Sequence, residues 1–267
     1  MEDGLCGWTG IQVRRFTGEK LKYDLTFDRP LMNAAGFLGF VPNRRLTIDV
    51  EELGAFVTNP VSLQRRTAAR GERFLEFDGG FLLHTGHPDP GLKAVIKRFA
   101  SRWARQTLPV WVHLLAQSVE ELGQMVSLLE GREGIAGLEV GLASDVDSTS
   151  AQAYTRAAYG ELPVLVRLPL ERSIELAAVV MEAGAAAVSL GPPRGALPIA
   201  GADILYGRLY GPAIYPQALE TVKRLSSSGI TVVGSGGVYR EREVEAMLDA
   251  GAIAVQLDAV LWRGWMT

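Results

Sequence analysis

The chain has 267 residues, 48% of them hydrophobic and 21% charged, which is enough apolar material for a large core. A formal charge of -3 gives no basic excess and argues against nucleic acid as a partner, and no uninterrupted apolar run reaches the ~18 residues of a membrane span. Cys6 is the only cysteine, which excludes an intramolecular disulfide and cysteine-rich metal sites; the acidic, polar opening MEDGLCGWTG does not read as a signal peptide, so a cytoplasmic protein is expected.

In chain order, residues 1–30 read as a polar lead-in with a hairpin, IQVRRF and LKYDLTF about Thr17-Gly18-Glu19-Lys20. Leu31 to Gly36 is the first strand, and a short helix near Thr47 to Leu53 precedes the second, Leu53 to Val61. Ser62 to Pro90 reads as a long loop carrying phenylalanines, leucines, His84 and His87. Loops of this length are uncommon unless they serve a site or are disordered, so this one is expected to fold over the mouth of the domain. Gly91 to Gln106 is an amphipathic helix with Leu92, Val95, Ile96, Phe99 and Trp103 on one stripe. Strands at Leu108–Ala116, Gly137–Ala143, Leu162–Pro169 and Ala185–Gly191 then alternate with helices at Ser118–Glu130, Asp147–Tyr159 and Ser173–Ala183. Ser118 and Glu121 form a capping box, and Gly184 ends the last of these helices. A long loop runs to Pro216, followed by a helix to Ser227, the strand ITVVGSGGV (Ile230–Val238), a helix at Arg240–Ala250 and the strand AIAVQLD (Ala252–Asp258).

These strands are apolar on both faces and alternate with helices, the pattern of a parallel sheet covered by helices. Eight such units predict a single (β/α)8 TIM barrel over residues 1–267, with the hairpin as lead-in and the long loop over the mouth. In such barrels the loops after strands seven and eight commonly bind phosphate beside a helix N-terminus, and the Gly234-Ser235-Gly236-Gly237 turn stands at that place. A tight turn that merely closes the barrel is the alternative for that turn.

The segments LMNAAGFLGF, LGAFVTNPVSLQRR, LEVGLAS, LPVLVRLP and GPAI-x-P-x-AL, with VVGSGGV followed by AGAIAVQLD, resemble the dihydroorotate dehydrogenase family, the FMN-dependent barrels of pyrimidine synthesis. The resemblance spans roughly Leu21 to Gly264. It implies FMN as cofactor and a small-molecule substrate, with hydride passing from C6 of a dihydropyrimidine to flavin N5 while a serine or cysteine base takes the C5 proton. Ser144, in Glu139–Val146, falls on the base position, although a turn or N-cap serine reads equally well. The resemblance further implies flavin contacts from Ala34, Ala35 and Gly36 on the first strand, and from Asn59, His113 and Arg167 at the ends of later strands. It adds Gly211, Gly234, Ser235, Gly236 and Gly237 to those contacts, and His84 and Gly141 near the substrate.

The departures from the family pattern are several. Asn59 and Arg167 replace lysines, while His113, Gly141, Val146 and Pro192 replace asparagines. Tyr210 replaces a serine and is large enough to occupy part of a flavin pocket, and Asp258-Ala259 replace the Gly-Thr pair that meets the phosphate. A carboxylate within ~5 Å of a phosphate dianion is repulsive by several kcal/mol unless a cation or proton intervenes.

His84, His87 and Asp89 form an H-x-x-H-x-D pattern that lacks a further ligand, so no metal site is expected. Arg65-Arg66 and Arg70-Arg73 read as a solvated loop, or as an anion site if they face the mouth, and the tail Leu261–Trp265 as packing or a contact in a homo-oligomer. Three readings follow. The first is an FMN-dependent oxidoreductase of the dihydroorotate dehydrogenase type, with Ser144 and Arg167 catalytic. The second is a degenerate relative acting as a binding or partner protein. The third is a barrel enzyme without flavin, using Asp258, Arg167, Glu139 and His113 for acid–base chemistry.

Overall fold

Runs of valine, isoleucine and leucine bury both faces of a strand, and such strands pair in parallel only where helices return the chain. The computed structural model describes residues 25, 27–42, 48–201 and 203–266; the expected lead-in hairpin lies outside them. In chain order the elements begin β1 (Leu31–Asn33), β2 (Phe56–Val57), β3 (Phe74–Phe77), β4 (Gly80–Leu83), α1 (Leu92–Trp103), β5 (Val110–Leu114), α2 (Val119–Leu129), β6 (Ile135–Gly141) and α3 (Ser148–Ala158). They continue β7 (Val164–Pro169), α4 (Ser173–Glu182), β8 (Ala187–Gly191), β9 (Arg194–Pro198), β10 (Ile204–Tyr210), α5 (Tyr215–Ser227), β11 (Val232–Ser235), α6 (Glu241–Asp249), β12 (Ala254–Leu257) and α7 (Val260–Arg263).

Eight of the strands form one parallel sheet in the order β1-β12-β11-β8-β7-β6-β5-β2, and a parallel bridge between Met32 and Ala55 brings its two edges together. This is the expected TIM barrel. Side chains two apart on a strand share a face, so the interior is stacked in layers. Met32, Trp111, Leu165, Ala187, Val233 and Ala254 make a buried apolar layer. Two residues further along five of those strands come His113, Arg167, Ser189, Ser235 and Gln256, all buried, and Glu139 joins them from β6. The polar layer therefore lies toward the carboxyl ends of the strands, where barrel sites form.

Two stretches that read as loops fold as strands. Residues 74–83 form the β3–β4 hairpin about Asp78-Gly79, and 194–210 form the β9–β10 pair; together they make a four-stranded antiparallel sheet, β3-β4-β10-β9. The Asp-Gly pair between two short apolar runs is the local signal for the first hairpin. The loop over the mouth is therefore largely a second sheet. Gly211 joins that sheet to the barrel with φ +128, and a Cβ there would lie 2.4 Å from both Gly79 O and Gly80 Cα.

Gly211→Ala should force the hairpin away from β10 and destabilise the protein by about 2 kcal/mol or more, read as a lower denaturant midpoint. An unchanged midpoint would show that this contact does not seat the sheet.

Candidate active site at the barrel mouth

The centre of the site is a buried acid–imidazole pair. His113 on β5 stands opposite Glu139 on the neighbouring β6, and His113 Nδ1 lies 2.5 Å from Glu139 Oε2. The other carboxylate oxygen accepts from Ser189 Oγ at 2.9 Å and Gln256 Nε2 at 2.6 Å. Burial opposes ionisation of Glu139, but the imidazole, Arg167 and the Gln256 amide outweigh it and hold the carboxyl below its ordinary range. Burial pushes His113 down, with Arg167 and Arg208 acting in the same direction against the pull of Glu139. An ionised Glu139 facing a neutral His113 requires the proton on Nδ1, which leaves Nε2 free to accept. Gly141 makes room for this ring, because a Cβ there would lie 2.7 Å from His113 Nε2.

On the other side of the mouth, Asp258 follows β12 and its carboxylate accepts from the Ala259 amide at 2.6 Å. The Gly237 amide is also directed at it. Burial nevertheless lifts the Asp258 carboxyl to about 6. Tyr210 is buried beside it, stacked on Phe81 at 5.4 Å and edge-on to Phe37 at 5.4 Å, and Phe37 in turn packs on Trp262. The void left among Tyr210, Ser235, Gly236, Gly237 and Asp258 is about 10 Å³, the room of a single water.

A larger cavity of about 180 Å³ opens between β5, β6, β7 and β8, lined by His113, Gly141, Ser144, Arg167, Arg194 and Arg208 among others. The structure thus brings together His113, Gly141, Ser144 and Arg167 from the expected set. Ser144 stands on the exposed side of that cavity. Asn59 is engaged away from the cavity: its Oδ1 accepts from the Gly39 amide at 2.9 Å. Ala34, Ala35 and Gly36 continue the first strand, with both alanines buried. Gly234 faces outward, where a Cβ would lie 3.2 Å from Met247 Sδ, so it serves helix packing. Gly237 is required by its own chain, since a Cβ would lie 2.5 Å from the Tyr215 amide nitrogen.

His84 does not line the cavity; its amide donates to Arg73 O within the second sheet. His87, three residues on, does not line it either but stands within electrostatic reach of Arg208, His113 and Arg167. It is the only non-glycine residue with positive φ among those described, at 50°, and burial with Arg208, His113, Arg167 and Arg66 nearby pushes it down to about 3. Asp89 is turned instead to the Gly91 amide, at 2.8 Å. Ser189, Gln256 and Arg208 were not among the expected site residues, and Glu139 was expected only in the reading without flavin; cross-strand register pairs Glu139 with His113 and brings Ser189 into the same layer.

The dihydroorotate dehydrogenase family model matches residues 20–159. The catalytic subunit of dihydroorotate dehydrogenase B (NAD(+)) from Desulforudis audaxviator is 30% identical, over 86% of this chain and 82% of its own. The corresponding subunit from Maridesulfovibrio salexigens is 31% identical, over 91% and 85%. This chain belongs to the dihydroorotate dehydrogenase family. At the level of fold, the Eimeria tenella dihydroorotate dehydrogenase solved with ferulenol superposes with a TM-score of 0.69 at 14% identity, covering 90% of this chain and 78% of the other.

Members of this oxidoreductase family generally bind FMN, but the residues present here do not fit it. Asp258 already engages the strand-end amides that a phosphate would need, Tyr210 fills the adjoining space, and the remaining void holds no phosphate. Among the described residues, no helix is long and apolar enough to cross a membrane.

A carboxyl raised from its ordinary 3.8 to about 6 stabilises the fold most below the lower value, and that contribution is lost as pH rises through the upper one. Relative to Asp258→Asn, the unsubstituted protein should therefore lose up to about 3 kcal/mol of unfolding free energy between about pH 4 and 7. Denaturant titrations across that window check this, and a difference independent of pH would refute it.

Proposed function

We propose that this member of the family works without flavin, as an acid–base enzyme in which His113, oriented by Glu139, takes a proton from a small substrate at the barrel mouth. The observation that carries the reading is the seating of Asp258 on the amides of Gly237 and Ala259, with Tyr210 in the space beside them. A pocket closed to the cofactor leaves the chemistry to side chains. Of these, the imidazole with an unprotonated Nε2 and a buried carboxylate behind it is the group suited to general-base work. Glu139 fixes the ring and its tautomer, and its charge stabilises the imidazolium formed when Nε2 accepts a proton. Ser144 lines the exposed side of the cavity and, among the described residues, makes no hydrogen bond to His113 or a carboxylate, so its role is to bind rather than to attack. The substrate is a small molecule, and we place the enzyme in the cytoplasm as a homo-oligomer, as composition and the exposed tail suggest.

Family membership favours a second reading, FMN-dependent oxidation of a pyrimidine-like substrate. Under it, Tyr210 and Asp258 must both leave their present positions before the cofactor can enter.

FMN titration separates the two. Purified protein should be colourless, should retain no FMN through desalting and should not oxidise dihydroorotate. The double substitution Asp258→Gly, Tyr210→Ser should bind FMN at least tenfold more tightly than the parent, about 1.4 kcal/mol. Flavin absorbance in the protein as isolated would overturn the flavin-free reading.

A further inference from the structure

Arg167 is 5% exposed, its Nε has no hydrogen-bond partner, and among the described residues no carboxylate lies within ion-pair distance of its guanidinium. The two nearby acids are committed elsewhere: Glu139 to His113, Ser189 and Gln256, and Asp258 to main-chain amides. A buried cation without a partner is costly, and the usual remedy is an opposite charge. Arg194 and Arg208 line the same cavity and no aspartate or glutamate does, so the cavity wall carries three positive charges and no negative one. Glu171, a carboxylate that acts on Arg208, accepts from the Arg194 amide.

We propose that this cavity binds a small aliphatic dicarboxylate, with the guanidinium groups of Arg167 and Arg208 holding its carboxylates and His113 Nε2 facing its carbon chain. The inference rests on the flavin-free reading and names the substrate class for that site. Guanidinium groups match carboxylates through paired N–H donors. Size sets the limit: an engineered cavity of about 150 Å³ takes one benzene-sized ring, so about 180 Å³ suits a short diacid. A cyclic ureide is the poorer match, because the lining offers three cations and no side-chain amide to meet its alternating N–H and C=O edge. His87 belongs to the same picture: burial first, and then the charges of Arg208, Arg167 and Arg66, hold it down, and a dianion would offset those charges.

The test is thermal unfolding of the full chain without FMN, in malonate or succinate against sodium chloride of equal ionic strength. Malonate or succinate should raise Tm by about 5 °C or more at a hundredfold excess over Kd. Arg167→Met should abolish that rise. Should Arg167→Met fail to fold, Arg208→Gln, in a half-buried position, should reduce the rise severalfold. No rise above the chloride control overturns the proposal, as does a rise that survives these substitutions or a larger one with orotate. FMN retention in the same samples would instead overturn the flavin-free reading beneath it, so the two failures are told apart.

Discussion

A carboxylate seated on main-chain amides at the ends of β11 and β12 decides what this barrel mouth can hold. Strand-end N–H groups need an acceptor, and in a phosphate-binding barrel the ligand supplies it. Here Asp258 supplies it from within the chain. A carboxylate offers those amides the same acceptor chemistry that a phosphate oxygen would. Tyr210 completes the exchange. Its ring joins Phe37, Phe81 and Trp262 in an aromatic cluster that ties β10 and the β3–β4 hairpin to the barrel. The second sheet is thus held down by an aromatic cluster at the barrel mouth.

The opposite half of the mouth follows from a second exchange. His113 and Gly141 both stand at asparagine positions of the family pattern, and the geometry links them. A side chain at 141 would collide with His113 Nε2, so the imidazole and the glycine go together. Once the imidazole is present, it needs an acceptor for Nδ1, and Glu139 on the neighbouring strand provides it. Ser189 on β8 and Gln256 on β12 then satisfy the second carboxylate oxygen, which spreads one buried charge over four strands. Such a network is stable because almost every lone pair and proton is used, and the exception is informative. Gln256 Oε1 and Arg167 Nε are without partners, and Arg167 lines the open cavity.

The barrel was legible in the sequence because its strands are apolar on both faces and its helices carry clear stripes and caps. Leu92, Val95, Ile96, Phe99 and Trp103 form the buried side of α1, and Ser118 caps α2 through the Glu121 amide. The second sheet was not legible, since its strands are short, half-exposed and broken by Pro198 and Gly207, which resemble loop chemistry. At the site, residue type was visible but register was not. His113 and Glu139 are 26 positions apart, and only the pairing of β5 with β6 makes them partners. Asp258 was visible as a charge hostile to phosphate, yet nothing in its neighbours in sequence says which amides it meets. The turn through Gly86, with φ +72, and the left-handed His87 set the second histidine of the loop within electrostatic reach of Arg208, His113 and Arg167, which its spacing in the sequence does not show.

A barrel that had only lost its cofactor would have little use for this polar layer. Replacing a buried ion pair or lone cation by apolar side chains of similar volume is often neutral or stabilising. The interior just beneath shows the apolar solution, with Trp111, Leu165 and Val233 filling their layer without a charge. At the mouth the chain instead buries Glu139, His113 and Arg167 and holds His87 in a backbone region that L-residues rarely adopt. Strain and desolvation gathered on the open side of a barrel, around a cavity rimmed by arginines, are what a binding site requires and what a purely structural core avoids. The close packing of Tyr210 and Asp258 on one side of the mouth and the arginine-lined cavity on the other are therefore the two features on which the proposed reading without flavin rests.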